Sequence, residues 1–439
     1  MNASEWTATH SIQDDSAPKP LMMPRLAILM LLQYMILGSW FATVGLVLVE
    51  HGLGSIIGTL FAVAAVAGVV SPMFVGALAD RFVPPRRMLS ILHLVGGVIL
   101  LFVPGVITSG DGTIMLALVF VYMLAFQPTI ALTNSIAFIH LGKHQNRFAY
   151  IRVFGTIGWL LAGVFIGTQG LSASPYLFLV TAGASILLGL YSLTLPHTPP
   201  LQKGVKFRIG DVIGVQALSL FKRRNYVVFA LCCVLTFIPI AIYNSYGSAF
   251  LGAVGIKDVA TILAIGQLTE LIFIPLIPYV IRKIGIKYAM LVGMVTWGAR
   301  YLVLIVATGG NVAWAIAAVA LHGICSDFFA VTGAIYTERV APTMKAQAQS
   351  LYFLLTQGVG VAFGAMVAGT IFNATVGAPG ATGALSNWAT LFVVPVVVAI
   401  VTAIIFLAGF RNREIDPPQG GPRTKAIIQE RHPETSSVR

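Results

Sequence analysis

Residues 386–410 read SNWATLFVVPVVVAIVTAIIFLAGF and contain no charged side chain. A helix that crosses a bilayer needs about 20 consecutive apolar residues, and windowed hydropathy finds such runs. This stretch is therefore long and apolar enough to span a membrane. Because lipid offers no hydrogen-bond partners, the backbone of such a segment is expected to be helical.

Eleven further runs of this kind occupy most of the remaining chain. We number the twelve predicted spans in chain order as span 1 to span 12. They are residues 25–49, 54–79, 88–107, 113–139, 148–169, 173–194, 225–251, 258–281, 288–308, 312–336, 346–372 and 386–410. The sequence thus predicts an all-α membrane protein with 12 transmembrane helices.

The composition excludes a soluble enzyme and a disordered protein. Of the 439 residues, 57% are hydrophobic and only 10% are charged, against about 25% charged residues in soluble domains. The three cysteines, Cys232, Cys233 and Cys325, lie in apolar runs without CxxC spacing, so neither a disulfide framework nor a zinc site is indicated. We predict no metal and no cofactor.

The distribution of Lys and Arg orients the spans. Of the 27 such residues, 24 lie in the two termini and the five loops on the same side of the predicted membrane. The six loops on the other side hold only Lys257, and Arg152 and Arg300 fall inside spans. This bias predicts that both termini are cytoplasmic. It also explains the net charge of +12 as a topology signal facing anionic lipid, so no nucleic-acid partner is predicted.

The spans form two sets of six. We predict a polar N-terminal arm (1–24), a six-helix bundle (25–194), a cytoplasmic linker (195–224), a second six-helix bundle (225–410) and a cytoplasmic tail (411–439). Each half carries a basic loop after its second span, at residues 80–87 and 282–287. Two such halves are typical of secondary transporters, whose sites lie near the midplane between the halves.

Four ionisable side chains fall inside spans, where their cost makes each a candidate for function: Arg152, Glu270, Arg300 and Asp327. Glu270 follows Gln267 by three residues, so both side chains lie on one face of span 8. Burial disfavours a charged carboxylate and a nearby cation favours it. Glu270 can therefore exchange a proton, or it is simply the buried partner of an arginine.

Arg300 in span 9 and Asp327 in span 10 lie on neighbouring antiparallel helices. The sequence predicts a structural ion pair between them, and Asp327 stays open as a static partner or a proton-coupling group. Arg152 lies about one turn into span 5. It either snorkels to the membrane interface or faces a cavity together with Thr156, four residues later.

Neutral polar residues add weaker candidates. Asn244 in span 7 stands beside Tyr243 and Tyr246, and amide and aromatic groups together suit a planar, hydrogen-bonding ligand. The alternative is a pair of interfacial tyrosines and a satisfied amide. Single amides more often join helices, and these are Gln33, Gln127, Asn134 and Gln357. We interpret His322 as a polar lining residue rather than a metal ligand.

The sequence contains no HExxH, P-loop or GxSxG motif. Without a Walker motif, uphill transport would use an ion gradient rather than the protein's own ATPase. A membrane enzyme would need a cluster of nucleophiles, bases or metal ligands, and a receptor would need a signalling domain. Neither is found, so both classes are disfavoured.

Several stretches resemble a known family. Asp80-Arg81 followed by Arg86-Arg87 resembles the motif of the major facilitator superfamily, although Val83-Pro84-Pro85 replaces its usual glycine. Within that superfamily, the chain resembles the nucleoside:proton symporter family, the NupG-type nucleoside permeases. The matching stretches, in order, are Leu32 to Tyr34, Gly38 to Trp40, Leu78 to Asp80, Pro128-Thr129, Asn134 to Ile136, Arg152 to Gly158, Leu193 to His197, Ala217 to Lys222, Gln267 to Glu270, Arg282 to Lys287 and Asp327 to Phe329.

The resemblance implies a twelve-helix major facilitator fold that works by alternating access. It implies a monomer in the lipid bilayer of the bacterial inner membrane that imports nucleosides together with protons. The substrate-binding residues would be Arg152, Thr156, Asn244, Gln267, Glu270, His322 and Ser326. Glu270 and Asp327 would couple the proton, and Asp80 and Arg81 would form a gating motif. Asn244, Gln267 and Glu270 would bind base or ribose, with Arg152 as a charge partner.

Three positions depart from the family pattern. The chain has Ala241 where the family has a glutamine, and His322 and Ser326 where it has aromatic residues. These positions would line the ligand. The alternative of another small polar solute, such as a sugar, therefore stays open.

Overall fold

The computed structural model describes residues 21–198, 215–378 and 384–411, and regular structure in these ranges is helical. Most of the predicted arm (1–24), most of the predicted tail (411–439) and residues 199–214 of the linker lie outside the described residues. The described end of the linker forms a 3₁₀ helix, Val215–Lys222.

The twelve predicted spans are present. Spans 1 to 6 are Met22–Trp40 continued by Val44–Glu50, then Ile57–Arg81, Pro85–Ser109, Gly112–Leu141, Phe148–Thr168 and Leu177–Thr194. Span 7 is Arg224–Ala253, span 10 is Val312–Ala320 with His322–Val340, and span 12 is Ser386–Gly409. Span 11 is Lys345–Phe353, a π-helix at Leu354–Gly360, and Val361–Ala374. Span 1 begins three residues before its predicted start, because Pro24 is tolerated in the first turn of a helix.

Spans 8 and 9 are joined without the loop that the sequence predicts. Val259–Phe273, a 3₁₀ turn at Ile274–Leu276 and Ile277–Ala307 follow one another directly. These 49 residues would measure about 74 Å as one straight helix, far more than the roughly 30 Å of a bilayer core. The chain therefore crosses twice. The break is at Gly285, whose φ of 80° is a left-handed conformation that favours glycine.

The spans present apolar stripes outward as well as inward. On span 12, Val393, Val397, Ile400, Ile404 and Leu407 are all exposed, at the spacing of one helix face. In a soluble protein such a patch would be a liability. Here it forms part of the surface expected to face lipid, whereas the opposite face packs against spans 7 and 9.

The two halves meet through small residues near the ends of spans that are predicted to face outside the cell. A Cβ on Gly58 of span 2 would come within 2.7 Å of the Gly369 Cα of span 11. A Cβ on Gly167 of span 5 would come within 2.8 Å of the Thr261 nitrogen of span 8. Only glycine permits this approach of the backbones. We call this contact the outer seam.

Candidate functional site

A cavity of about 400 Å³ lies between the two halves, below the outer seam. Its polar lining residues are Arg152, Thr156, Asn244, Ser248, Gln267, Glu270, His322, Ser326 and Gln357. Its aromatic lining residues are Tyr34, Phe41, Trp159, Phe237 and Tyr243. The lining comes from spans 1, 5, 7, 8, 10 and 11, so the cavity needs both halves. All seven residues predicted to bind substrate border it.

Span 5 provides the polar wall of the N-terminal half. Arg152, Thr156 and Trp159 recur at intervals of four and three residues, so they share one helix face. Gly158 lets this helix lie directly against span 1, because a Cβ there would meet the Leu31 carbonyl oxygen. The guanidinium of Arg152 lies over the Tyr34 ring, with its Cζ 4.0 Å from the ring centroid. Arg152 thus borders the cavity rather than snorkelling to the interface.

Spans 8 and 10 provide the wall of the C-terminal half. Glu270 Oε1 is 3.1 Å from His322 Nε2 and accepts a 3.3 Å hydrogen bond from Gln267 Nε2. Gly323 makes this contact possible, because a Cβ there would come within 2.6 Å of the Thr269 backbone. Its own N–H donates to Thr269 Oγ1 at 2.9 Å. The glycine next to His322 therefore brings span 10 close enough for the histidine to reach Glu270.

Arg300 lies behind this wall and is fully buried. Its Nη1 donates to His322 Nδ1 at 2.9 Å and to Cys325 Sγ at 3.4 Å. Its Cζ stands 3.5 Å from the Tyr243 ring centroid and 5.1 Å from that of Trp297, in the range of cation–π attraction. Nε and Nη2 have no hydrogen-bond partner among the described residues.

The predicted ion pair between Arg300 and Asp327 is not present in the described structure. The cause is the register of spans 9 and 10, which is set where Gly293 packs against the backbone of Phe329. Seven residues further along each antiparallel helix, Arg300 is level with His322. Asp327 lies five residues away, about 7.5 Å along the helix axis.

Asp327 is buried and does not line the cavity, although its neighbour Ser326 does. Its Oδ2 has no hydrogen-bond partner in the part of the chain that the structure describes. The carboxylate is thus close to the cavity and available for an exchangeable proton. Its predicted role in proton coupling stays a prediction.

The cavity also includes residues that the sequence did not single out as ligands. Tyr34 and Phe41 lie seven residues apart on span 1, and Trp159 continues the face of Arg152 and Thr156. Their helical spacing, which places each set on one face, was the sequence signal that could have identified them. Gln357, a weaker candidate, lies on the π-helix of span 11, a local widening that is frequent at functional sites.

Gln33, another weaker candidate, belongs instead to a sealed cluster inside the N-terminal half. Its Nε2 donates to Thr129 Oγ1 at 2.8 Å, and its Oε1 accepts from Thr133 Oγ1 at 3.1 Å. His93 connects Gln33 Oε1, 3.0 Å away, to Ser185 Oγ, 3.1 Å away. These five buried residues, which we call the N-half cluster, join spans 1, 3, 4 and 6.

The predicted gating motif falls at the end of span 2. Asp80 and Arg81 belong to the last turn of the helix Ile57–Arg81. Their side chains lie outside the described residues, so their predicted role stays a prediction.

Twelve spans in two six-helix halves, with a polar cavity between them, define a secondary transporter of the major facilitator type. The chain belongs to the nucleoside H⁺ symporter family, whose model matches residues 21–415. The transporter YegT of Escherichia coli is 32% identical over 89% of this chain and 94% of its own length. The xanthosine permease of the same organism is 28% identical over 88% and 95%. A crystal structure of the nucleoside transporter NupG has 25% sequence identity and a TM-score of 0.79, covering 89% of this chain and 99% of that one.

Family membership confirms the predicted activity. The protein is a proton-coupled importer of nucleosides and not an enzyme. The alternative substrate class, another small polar solute such as a sugar, is not favoured by the family. The predicted localisation as a multi-pass protein of the bacterial inner membrane agrees with this membership.

Proposed function

We propose that the cavity between the halves is the nucleoside site, and that the carboxylates beside it couple transport to the proton. One observation carries the proposal: polar residues from spans 5, 7, 8, 10 and 11 converge on the same cavity of about 400 Å³. That volume lies within the range of about 300–1,000 Å³ typical of small-molecule sites.

The two kinds of lining residue suit the two parts of a nucleoside. Asn244, Gln267 and Glu270 hydrogen-bond the base or the ribose hydroxyls. Trp159 and Tyr243 offer ring faces against which a planar base stacks. Arg152 is the cationic partner on the opposite wall. Ser326 and His322 complete the polar lining at two of the positions that depart from the family pattern.

Proton coupling follows from the cost of a charge in a site that closes. An ionised Glu270 or Asp327 is expensive to enclose in a dry cavity. Protonation removes that charge, and a bound nucleoside supplies hydrogen-bond partners for the polar lining. When both the proton and the nucleoside are bound, the two halves rearrange and the cavity opens to the opposite side of the membrane. One chain supplies the whole cavity, so the protein works as a monomer, with both termini in the cytoplasm.

The test is uptake of labelled uridine and adenosine into proteoliposomes with and without an inward proton gradient. We expect accumulation that a protonophore abolishes. Absence of uptake by folded protein would contradict the proposal. The variant Asn244→Ala should raise the apparent KM about tenfold, because one lost hydrogen bond is worth about 1.4 kcal/mol.

The matched control for this variant is Asn387→Ala. Asn387 is an amide in the first turn of span 12, outside the cavity lining. Its KM should equal that of the unmodified protein. An unchanged KM in Asn244→Ala would remove Asn244 from the site.

A further inference from the structure

His322 stands between a cation and a carboxylate. Its Nδ1 lies 2.9 Å from Nη1 of the fully buried Arg300, and its Nε2 lies 3.1 Å from Oε1 of Glu270. The imidazole is therefore the only direct link between these two charged groups in the described structure. It also forms part of the cavity lining, so the link is at the edge of the nucleoside site.

The chemistry of Arg300 and Glu270 decides which ring nitrogen of His322 carries the proton. A guanidinium has five N–H donors and no acceptor, and it stays charged in proteins. The Nδ1 atom that faces Arg300 must therefore be an unprotonated acceptor. If Nε2 also lacked a proton, the ring would be an imidazolate anion. His322 is thus neutral, with its proton on Nε2, and donates to Glu270.

The same geometry disfavours a second proton on His322. A proton on Nδ1 would face the Nη1–H of Arg300 and break that hydrogen bond. The other rings near His322 are Tyr243 of span 7 and Trp297 of span 9, with centroids 5.7 Å and 6.4 Å away, and Cys325 and Asp327 follow on its own helix. Asp327 forms no ion pair with His322 among the described residues. The nearest opposite charge is Glu270, which already accepts from Nε2.

The two oxygens of Glu270 are consequently not equivalent. Both His322 Nε2 and Gln267 Nε2 contact Oε1. Oε2 receives neither donor. A hydrogen bond to Oε1 persists whether or not Oε2 carries a proton, since a carboxylic acid retains an acceptor oxygen.

We propose that Arg300 is a positioning residue that fixes His322 as a permanent hydrogen-bond donor to Glu270 Oε1, so that Oε2 takes the proton and contacts the nucleoside. His322 is then not the proton carrier. This inference rests on the proposed function, because it assigns roles within the same cavity. It also explains how this chain accommodates a histidine at a position where an aromatic residue is expected.

The variant His322→Gln distinguishes two roles for His322, a fixed hydrogen-bond donor and a proton carrier. The new amide oxygen accepts from Arg300 and the amide nitrogen donates to Glu270, but the amide does not titrate. We expect His322→Gln to keep accumulation within about threefold of the unmodified protein, equivalent to roughly 0.6 kcal/mol, with the same pH profile. His322→Phe keeps a ring but removes both hydrogen bonds, and it should raise the apparent KM at least tenfold. Loss of accumulation in His322→Gln with intact nucleoside exchange would overturn the proposal, because His322 would then carry the proton.

The role of Arg300 is tested by a double-mutant cycle. Arg300→Gln should raise KM like His322→Phe, and adding it to His322→Phe should cause no further change. Additive effects would show that Arg300 does not act through His322. Arg300→Lys, which keeps the charge and one donor, serves as the second variant if the glutamine variant does not fold.

A spectroscopic measurement keeps this inference distinct from the proposed function. In protein labelled with ¹⁵N-histidine, the His322 signals are identified by their absence in His322→Gln. We expect an unprotonated Nδ1 and a protonated Nε2 at the pH of the uptake assay. A doubly protonated ring or an Nδ1–H tautomer would overturn the inference, whether or not the vesicles take up nucleoside. Failed uptake with the expected tautomer would instead contradict the proposed function alone.

Discussion

Each half of the transporter holds a histidine in a polar cluster, and the two clusters differ in how fully their members are paired. In the N-half cluster, His93 bridges Gln33 and Ser185, and none of the five members has an unpaired buried side-chain atom. In the C-terminal half, His322 bridges Arg300 and Glu270 at the cavity wall. There, two nitrogens of Arg300 and one oxygen of Asp327 have no partner among the described residues.

This difference separates two uses of polarity inside a membrane. A neutral cluster whose members hydrogen-bond to one another joins helices. A cluster that contains charged groups and borders a cavity can bind a ligand or a proton. The N-terminal half is thus expected to move as a rigid unit, and we expect the proton-coupling groups to lie in the C-terminal half.

The largest effect should come from Glu270→Gln. Because the amide cannot exchange a proton, uptake driven by the proton gradient should fall to equilibration, while exchange of internal for external nucleoside persists. Measurement of both activities in one vesicle preparation tests this. Glu50→Gln, at the exposed end of span 1, is the control and should accumulate normally. Full accumulation by Glu270→Gln would assign the proton to another group and weaken the contrast between the halves.

His93→Leu should have the next largest effect, and on stability rather than on transport. It removes the hydrogen bonds of the His93 ring to Gln33 and Ser185, at a cost of about 2 kcal/mol for the two. We expect a lower melting temperature with an unchanged KM. The control is His51→Leu, since the side chain of His51 bonds to the Val47 carbonyl one turn earlier and, among the described residues, to no other helix. A raised KM with normal stability would mean that the N-half cluster takes part in binding.

The smallest effects come from a matched pair of threonines. Thr133→Val removes one hydroxyl from the N-half cluster, and Thr156→Val removes one from the cavity wall. An interhelical hydrogen bond in a membrane averages about 0.6 kcal/mol, equivalent to roughly threefold in an equilibrium constant. Thr133→Val should therefore lower stability slightly without changing KM, and Thr156→Val should raise KM about threefold without changing stability. The reverse pattern would assign Thr133 to the binding site and Thr156 to helix packing.

Residue type and periodicity were enough to predict the twelve spans and to single out six polar residues of the cavity lining, and the family resemblance added Ser326. They did not distinguish Gln33, which joins helices, from Gln357, which lines the cavity, because both are single amides in apolar runs. They also missed Trp159 and Tyr34, since an aromatic side chain in a membrane span is ordinarily packing. The difference lies in which neighbour each side chain meets.

The sequence by itself determined that the chain crosses the membrane twelve times, because lipid leaves an apolar run no alternative to a helix. It also determined which ionisable side chains lie inside the spans, where their cost requires a partner or a function. Only the tertiary structure decided their partners. Arg300 contacts His322 rather than Asp327 because Gly293 fixes the register of spans 9 and 10 against Phe329. Helical periodicity gives the face on which a residue lies, whereas close packing between helices decides the level at which it meets another charge.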